Sequence, residues 1–312
     1  MRNNIRRYRV SAVTVPATVL LMIMPSWRIS AKESQDLGSE LGRAWIAEPA
    51  TRPAAVLVCL HGIQTNRDWW RPLGHELAAS GIALWAFNRP GSGNPAPPGP
   101  AALSTLEWPQ QMNVVRDAAS KKYGDIPLLA AGVSWGASVA ILAAERYPNT
   151  WSGAILLNPA FKTARDAAFR RNTLNHFWPW HWWKPISLPL SPTDYTNSEQ
   201  TWSRYLQPNQ LKNSATFSFL RQTSRARKAA IAALNAPARP TLVLLGQADA
   251  LAAPHLFYEA TRLAPGTTGN RTVEVVSKAT HAAIVEPENK IIAIRIVSWV
   301  TQRLPDARKE SR

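Results

Sequence analysis

Short aliphatic and β-branched runs recur along the chain, separated by stretches whose apolar positions fall three and four residues apart. AAVLVCL (54–60), bounded by Pro53 and His61-Gly62, predicts a buried strand. Residues 67–80 then place Trp70, Leu73, Leu77 and Ala78 at helical spacing. ALWAF (83–87) predicts a second strand, ended by NRPGSGNPAPPGP, whose prolines and glycines forbid regular structure. A helix is expected over 104–123, then a strand PLLAAGV (127–133), a helix to Tyr147 and a strand AILLN (154–158). TLVLLG (241–246), a helix over 254–264, TVEVVS (272–277) and a helix from about 287 to 304 complete the series. Strands alternating with helices need crossover connections. The pattern therefore predicts an α/β fold, a mostly parallel sheet covered by helices on both faces.

Two regions depart from this rhythm. Residues 32–52 are polar and are expected to form a linker. Residues 160–236 contain no convincing strand but carry HFWPWHWWKPISLPL, with Trp178, Trp180, Trp182 and Trp183 packed into six positions. Such an interruption predicts an inserted, Trp-rich helical cap over the carboxyl ends of the sheet. The core is then 32–159 together with 237–312. Four indoles so close together cannot all point into one small core, so some are expected to bind substrate or to face a lipid surface.

Composition narrows the picture. At 312 residues and 46% hydrophobic, the chain can bury one large core. Its one cysteine, Cys59, lies in an apolar strand; intrachain disulfides and cysteine-cluster zinc sites are excluded. The formal charge is +16, and residues 1–31 contribute five arginines and no acid. The basic residues are scattered, without an arginine-rich block or a recognition motif, so nucleic acid is not an expected partner. MRNNIRRYR, the 15 apolar-core residues VSAVTVPATVLLMIM and PSWRISA read as a secretory signal over 1–31, with Ile29-Ser30-Ala31 before the cut. An uncleaved membrane anchor is the alternative. Either way the chain is expected to be exported, to the periplasm or the cell exterior.

Candidate chemistry begins at Gly132-Val133-Ser134-Trp135-Gly136, which fits G-x-S-x-G between a predicted strand and a predicted helix. A sharp turn there lifts a serine hydroxyl to the top of a sheet, and small neighbours let the flanking chains approach. The serine needs a base. His281, in KATHAAIVEPE, follows the last strand, whereas His75 and His255 fall in helices and His176 and His181 in the cap. The base needs an orienting acid, and Asp249 in GQADAL follows the strand TLVLLG. Asp249 is also a candidate N-cap for the turn beginning near Ala252. Some sheets of this kind carry the acid one strand earlier, where this chain has the uncharged Asn158. An oxyanion would take one N–H from Trp135 and one from Ile63 in LHGIQTN. His61 is expected to shape that loop rather than act as a second base.

Together LHGIQTNRDWW, GVSWGA, GQADAL and THAAIVEPE resemble the α/β-hydrolase superfamily over about residues 44–304, in its chain order of Ser, Asp, His. Within it they are most similar to the monoacylglycerol lipase and lysophospholipase-like branch. Asn88 departs from the acidic turn common there. The elbow also resembles that of prolyl iminopeptidases, but HGIQT departs from their HGGPG. The resemblance implies hydrolysis of a carboxylic ester, small or lipid-like, through an acyl-enzyme, with no metal or organic cofactor and no obligate protein partner. Association with a membrane surface would suit a lipid substrate. An aminopeptidase, an acyltransferase and a catalytically silent binding protein remain the alternatives.

Overall fold

The computed structural model describes residues 30–38, 41–93, 107–174, 185–207, 211 and 213–304. One nine-stranded sheet organises them, in the order β1-β2-β4-β3-β5-β6-β9-β11-β10. Its centre is parallel: β4 (Ile82–Phe87), β3 (Ala55–Leu60), β5 (Leu128–Val133), β6 (Gly153–Leu157), β9 (Thr241–Gly246) and β11 (Arg271–Val276). Antiparallel strands close both edges, β1 (Ser30–Asp36) and β2 (Arg43–Glu48) at one and β10 (Gly266–Thr268) at the other. Every residue of β3, β4, β5, β6 and β9 is buried. That explains continuous apolar runs in place of alternation.

The period of two still decides which layer each side chain joins. Ala55, Leu57 and Cys59 face α1 (Arg71–Ala79) and α9 (Asn289–Arg303). Val56, Val58 and Leu60 face the other layer, built from α2 (Trp108–Tyr123), α3 (Trp135–Arg146), α7 (Phe217–Asn235) and α8 (Pro254–Thr261). Each fully buried aliphatic side chain contributes roughly 1.5–3 kcal/mol, so the central strands and the helix faces packed on them share the stabilisation.

Four expectations need correction. The polar stretch 32–52 is not a linker; it supplies most of β1 and all of β2, and β1 begins two residues inside the expected leader, at Ser30. β1 is a charged edge strand without the apolar pattern that marks an inner one, and Gln35 and Asp36 are exposed, whereas β2 buries residues 44–47, an apolar run of only four residues. The insertion also contains a small strand pair, β7 (Ile186–Ser187) with β8 (Ser214–Ala215), too short for periodicity to detect. Finally, the region 160–236 divides. α4 (Asp166–Leu174), α5 (Pro192–Tyr195) and α6 (Glu199–Tyr205) belong to the insertion, whereas α7 packs on α3 within the core layer. The helices expected over 67–80 and 254–264 are shorter. A 3₁₀ turn occupies Arg67–Trp70 ahead of α1, and α8 ends on Arg262 in the left-handed conformation. Among the described residues no helix is long and apolar enough to cross a membrane.

Candidate active site

Four neighbouring parallel strands, β5, β6, β9 and β11, end at the same edge of the sheet, and Ser134, Asn158, Asp249 and His281 follow them in that order. Ser134 sits at φ 57°, ψ −117°, between β5 and α3. The two glycines of the motif make that turn possible. A Cβ on Gly132 would lie 2.2 Å from the carbonyl oxygen of Gly136, and one on Gly136 would lie 2.4 Å from that of Leu60. Backbone bonds hold the strained residue from both sides: Ser134 N–H donates to Leu157 O (2.9 Å), and Ala160 N–H donates to Ser134 O (3.2 Å).

His281 Nδ1 lies 2.7 Å from Asp249 Oδ2, and both side chains are at most 1% exposed. The other carboxylate oxygen accepts from the N–H groups of Leu251 (2.9 Å) and Ala252 (2.7 Å). Asp249 thus orients an imidazole and caps the following turn at once. His281 Nε2 is buried without a hydrogen-bond partner among the described residues, so the Ser134–His281 bond is not made in this structure. Bonds of this kind are often long before substrate binds.

Asn158 joins the two loops. Its Oδ1 accepts from Gly246 N–H (2.7 Å), at the end of β9, and its Nδ2 donates to Thr280 O (2.8 Å), just before His281. An aspartate there could only accept, and it would face a carbonyl. Asn158 also takes φ 45°, a conformation asparagine tolerates better than most residues.

The loop after β3 is anchored from below. His61 Nδ1–H donates to Gly62 O (2.8 Å), leaving Nε2 as the acceptor beside Ser92 Oγ (2.8 Å) and Arg89 N–H (3.4 Å). Burial and the nearby Arg89 charge lower the His61 pKa to about 3, so the ring stays neutral. Because a peptide is planar and trans, holding Gly62 O against His61 turns the opposite end of that peptide, Ile63 N–H, away from the core. Ile63 N–H finds no acceptor among the described residues, and Trp135 N–H, the first of α3, has none by position. Ser134, Ile63 and Trp135 line one cavity of about 660 Å³.

Several residues here carry no motif. Arg89 is 3% exposed; it donates to Ile63 O (2.7 Å) and lies over the rings of Trp135 and Phe219. Burial lowers its pKa to about 10, which still leaves it charged at neutral pH. Tyr195 of the insertion donates to Gln64 Oε1 (2.7 Å) and packs its ring 5.5 Å from that of His281. Glu286 is buried and accepts from Thr280 Oγ1 (2.5 Å), from Thr201 Oγ1 (3.2 Å) and, closer still, from Thr196 Oγ1. It ties the insertion to the His281 loop. Trp178, Trp180, Trp182 and Trp183 lie outside the described residues. Among the described residues no three His, Cys, Asp or Glu side chains come together as a metal site.

The model of the family described as serine aminopeptidase, S33, matches residues 51–288. No curated protein matches the sequence. Solved structures of similar fold include the monoacylglycerol lipase of Paleococcus ferrophilus, 18% identical with TM-score 0.60, over 80% of this chain and 94% of that one. A soluble variant of the monoglyceride lipase of Saccharomyces cerevisiae, solved with a substrate analogue, is 15% identical with TM-score 0.66, over 88% and 96%. A thermostable carboxyl esterase of Bacillus coagulans, solved with glycerol, is 13% identical with TM-score 0.67, over 88% and 99%.

Proposed function

We propose that this chain, which belongs to the serine aminopeptidase S33 family of α/β-hydrolases, is a serine hydrolase that cleaves carboxylic esters, lipid-like ones above all. The buried His281–Asp249 pair at the strand ends, with Asp249 two strands and His281 three strands along the sheet from the strained Ser134, carries the reading. His281 Nε2 takes the proton of Ser134 Oγ as that oxygen attacks the acyl carbonyl. The oxyanion rests on the N–H groups of Ile63 and Trp135. His281 then protonates the departing alkoxide, and water, deprotonated by the same nitrogen, releases the acid from the acyl-enzyme. Asp249 holds the Nδ1–H tautomer and stabilises the imidazolium. The esterase and lipase folds around it support the reading.

The family description raises aminopeptidase activity as the rival. Such an enzyme must seat a substrate ammonium, and the cavity opposes one. Its walls include Lys162, Arg170, Arg221 and Arg227 against one carboxylate, Asp166, which is already paired with Arg227 at 2.9 Å.

A fluorophosphonate probe is expected to label Ser134, and alanine at Ser134 or His281 to lower hydrolysis of p-nitrophenyl esters by several orders of magnitude. Asp249→Ala costs least, and the losses do not add. Retained activity in Ser134→Ala would overturn the assignment; aminoacyl amides turning over faster than any acyl ester would favour the peptidase. The four tryptophans are proposed to line the acyl slot or meet lipid. Export is proposed on the basic start and short apolar core of residues 1–31, which fall almost wholly outside the described residues. Amino-terminal sequencing of the native protein tests it: a start near Lys32 is expected, and an intact Met1 on a cytosolic protein contradicts it.

A further inference from the structure

The cavity above Ser134 is two-sided in character. Phe169, Leu190, Phe217 and Leu220 give it an apolar wall, and two of its cations are already neutralised, Arg227 by Asp166 and Lys162 by Glu259. The other two are not. Arg170 on α4 and Arg221 on α7 have no hydrogen bond or ion pair among the described residues, although both line the cavity. α7 carries no acidic residue, and the one acid of α4 is Asp166. Two guanidinium groups on separate helices, at one cavity with the proposed nucleophile and with no unpaired carboxylate among the described residues that line it, suit an anion.

We infer that the substrate is an amphiphilic ester bearing an anionic group, a phosphate or a carboxylate, which Arg170 and Arg221 receive while its hydrocarbon chain lies on the apolar wall. This deepens the ester-hydrolase reading and rests on it for turnover, but not for binding. Both arginines are exposed, so solvent screens them and the gain is modest, about tenfold in affinity over a neutral analogue.

The test is titration calorimetry on the full protein with octyl phosphate, nonanoate and 1-O-octylglycerol, each below its micellar concentration. Octyl phosphate or nonanoate is expected to bind about tenfold more tightly than octylglycerol, and the preference between the two anions identifies the group. In R170Q/R221Q, checked for an unchanged melting temperature, that ratio falls to near one. R225Q/K228Q, which removes two charges of α7 outside the cavity lining, keeps it. Equal binding of all three ligands overturns the inference. So does equal loss in both variants, which would mean a diffuse field. Binding to phosphatidylglycerol vesicles without any binding of the monomeric anions would also overturn it, in favour of a membrane-docking face. The kinetic arm compares 1-octanoylglycerol 3-phosphate with 1-octanoylglycerol. Anion binding with neither ester cleaved and no fluorophosphonate labelling would fail the hydrolase reading and leave the anion site standing.

Discussion

A neutral histidine can contribute to catalysis without touching substrate, and His61 is placed to do so. Its Nδ1–H fixes Gly62 O, and the rigid peptide passes that constraint to the N–H of Ile63, the proposed oxyanion donor, a residue that lines the cavity with Ser134. Arg89 holds the next carbonyl, that of Ile63, so two successive peptides of the loop are pinned by buried side chains. Removing an oxyanion donor outright costs about 10²–10³ in kcat. Freeing its peptide to rotate should cost less, about 10- to 100-fold. His61→Phe keeps an aromatic ring, somewhat larger than imidazole, and deletes all three polar contacts. It is expected to lower kcat by that amount on a p-nitrophenyl ester with a much smaller change in KM, because the donor acts mainly on the transition state. A variant whose KM rises while kcat holds would show that His61 shapes the binding slot instead.

At the scale of elements, the join of β5 and α3 tolerates no side chain beyond the serine's neighbours. Gly132→Ala would drive a Cβ to within 2.2 Å of Gly136 O, a backbone atom that cannot move without breaking the turn. Destabilisation of about 4 kcal/mol or more is expected, seen as loss of soluble protein or a sharply lowered melting temperature. An unchanged melting temperature would mean the turn is looser than its geometry implies. This element was legible in the sequence because its constraint is local: glycine, serine and glycine within five residues of a buried strand. The inner strands were legible for the same reason, and so were the placements of Asp249 and His281 at strand ends. What stayed hidden depends on partners distant along the chain. Asn158 reaches Thr280 and Gly246, Tyr195 reaches Gln64, and Glu286 gathers hydroxyls from Thr196, Thr201 and Thr280. No spacing rule signals such contacts. The edge hairpin β1–β2 gives a weak signal because β1 is charged and the apolar run of β2, residues 44–47, is only four residues between Arg43 and Glu48, and α7 gives little sign of belonging to the core because its core-facing residues are few: Phe219, Leu220, Ala230 and Leu234.

For the whole molecule, the buried neutral imidazole makes stability depend on pH in a definite direction. The folded His61 pKa is depressed to about 3, against 6.5 for a free histidine. Below pH 6.5 the unfolded chain therefore binds a proton that the native state refuses. Stability is complete above that value and declines as the pH falls from 6.5 towards 3. One such group accounts for about 3 kcal/mol by pH 4. That is a large part of the 5–15 kcal/mol typical of a folded domain. The formal charge of +16 at pH 7 grows further as carboxylates protonate, and self-repulsion in the compact state adds to the loss. The two contributions can be separated, because the repulsion belongs to the whole surface and the proton linkage to one ring. Urea unfolding at pH 7 and pH 4 should show wild type losing about 3 kcal/mol more than His61→Phe, whose ring does not titrate. Parallel losses in the two proteins would mean that His61 is protonated, or solvated, in the native state. The neutral ring that holds Gly62 O would then no longer account for the direction of Ile63 N–H.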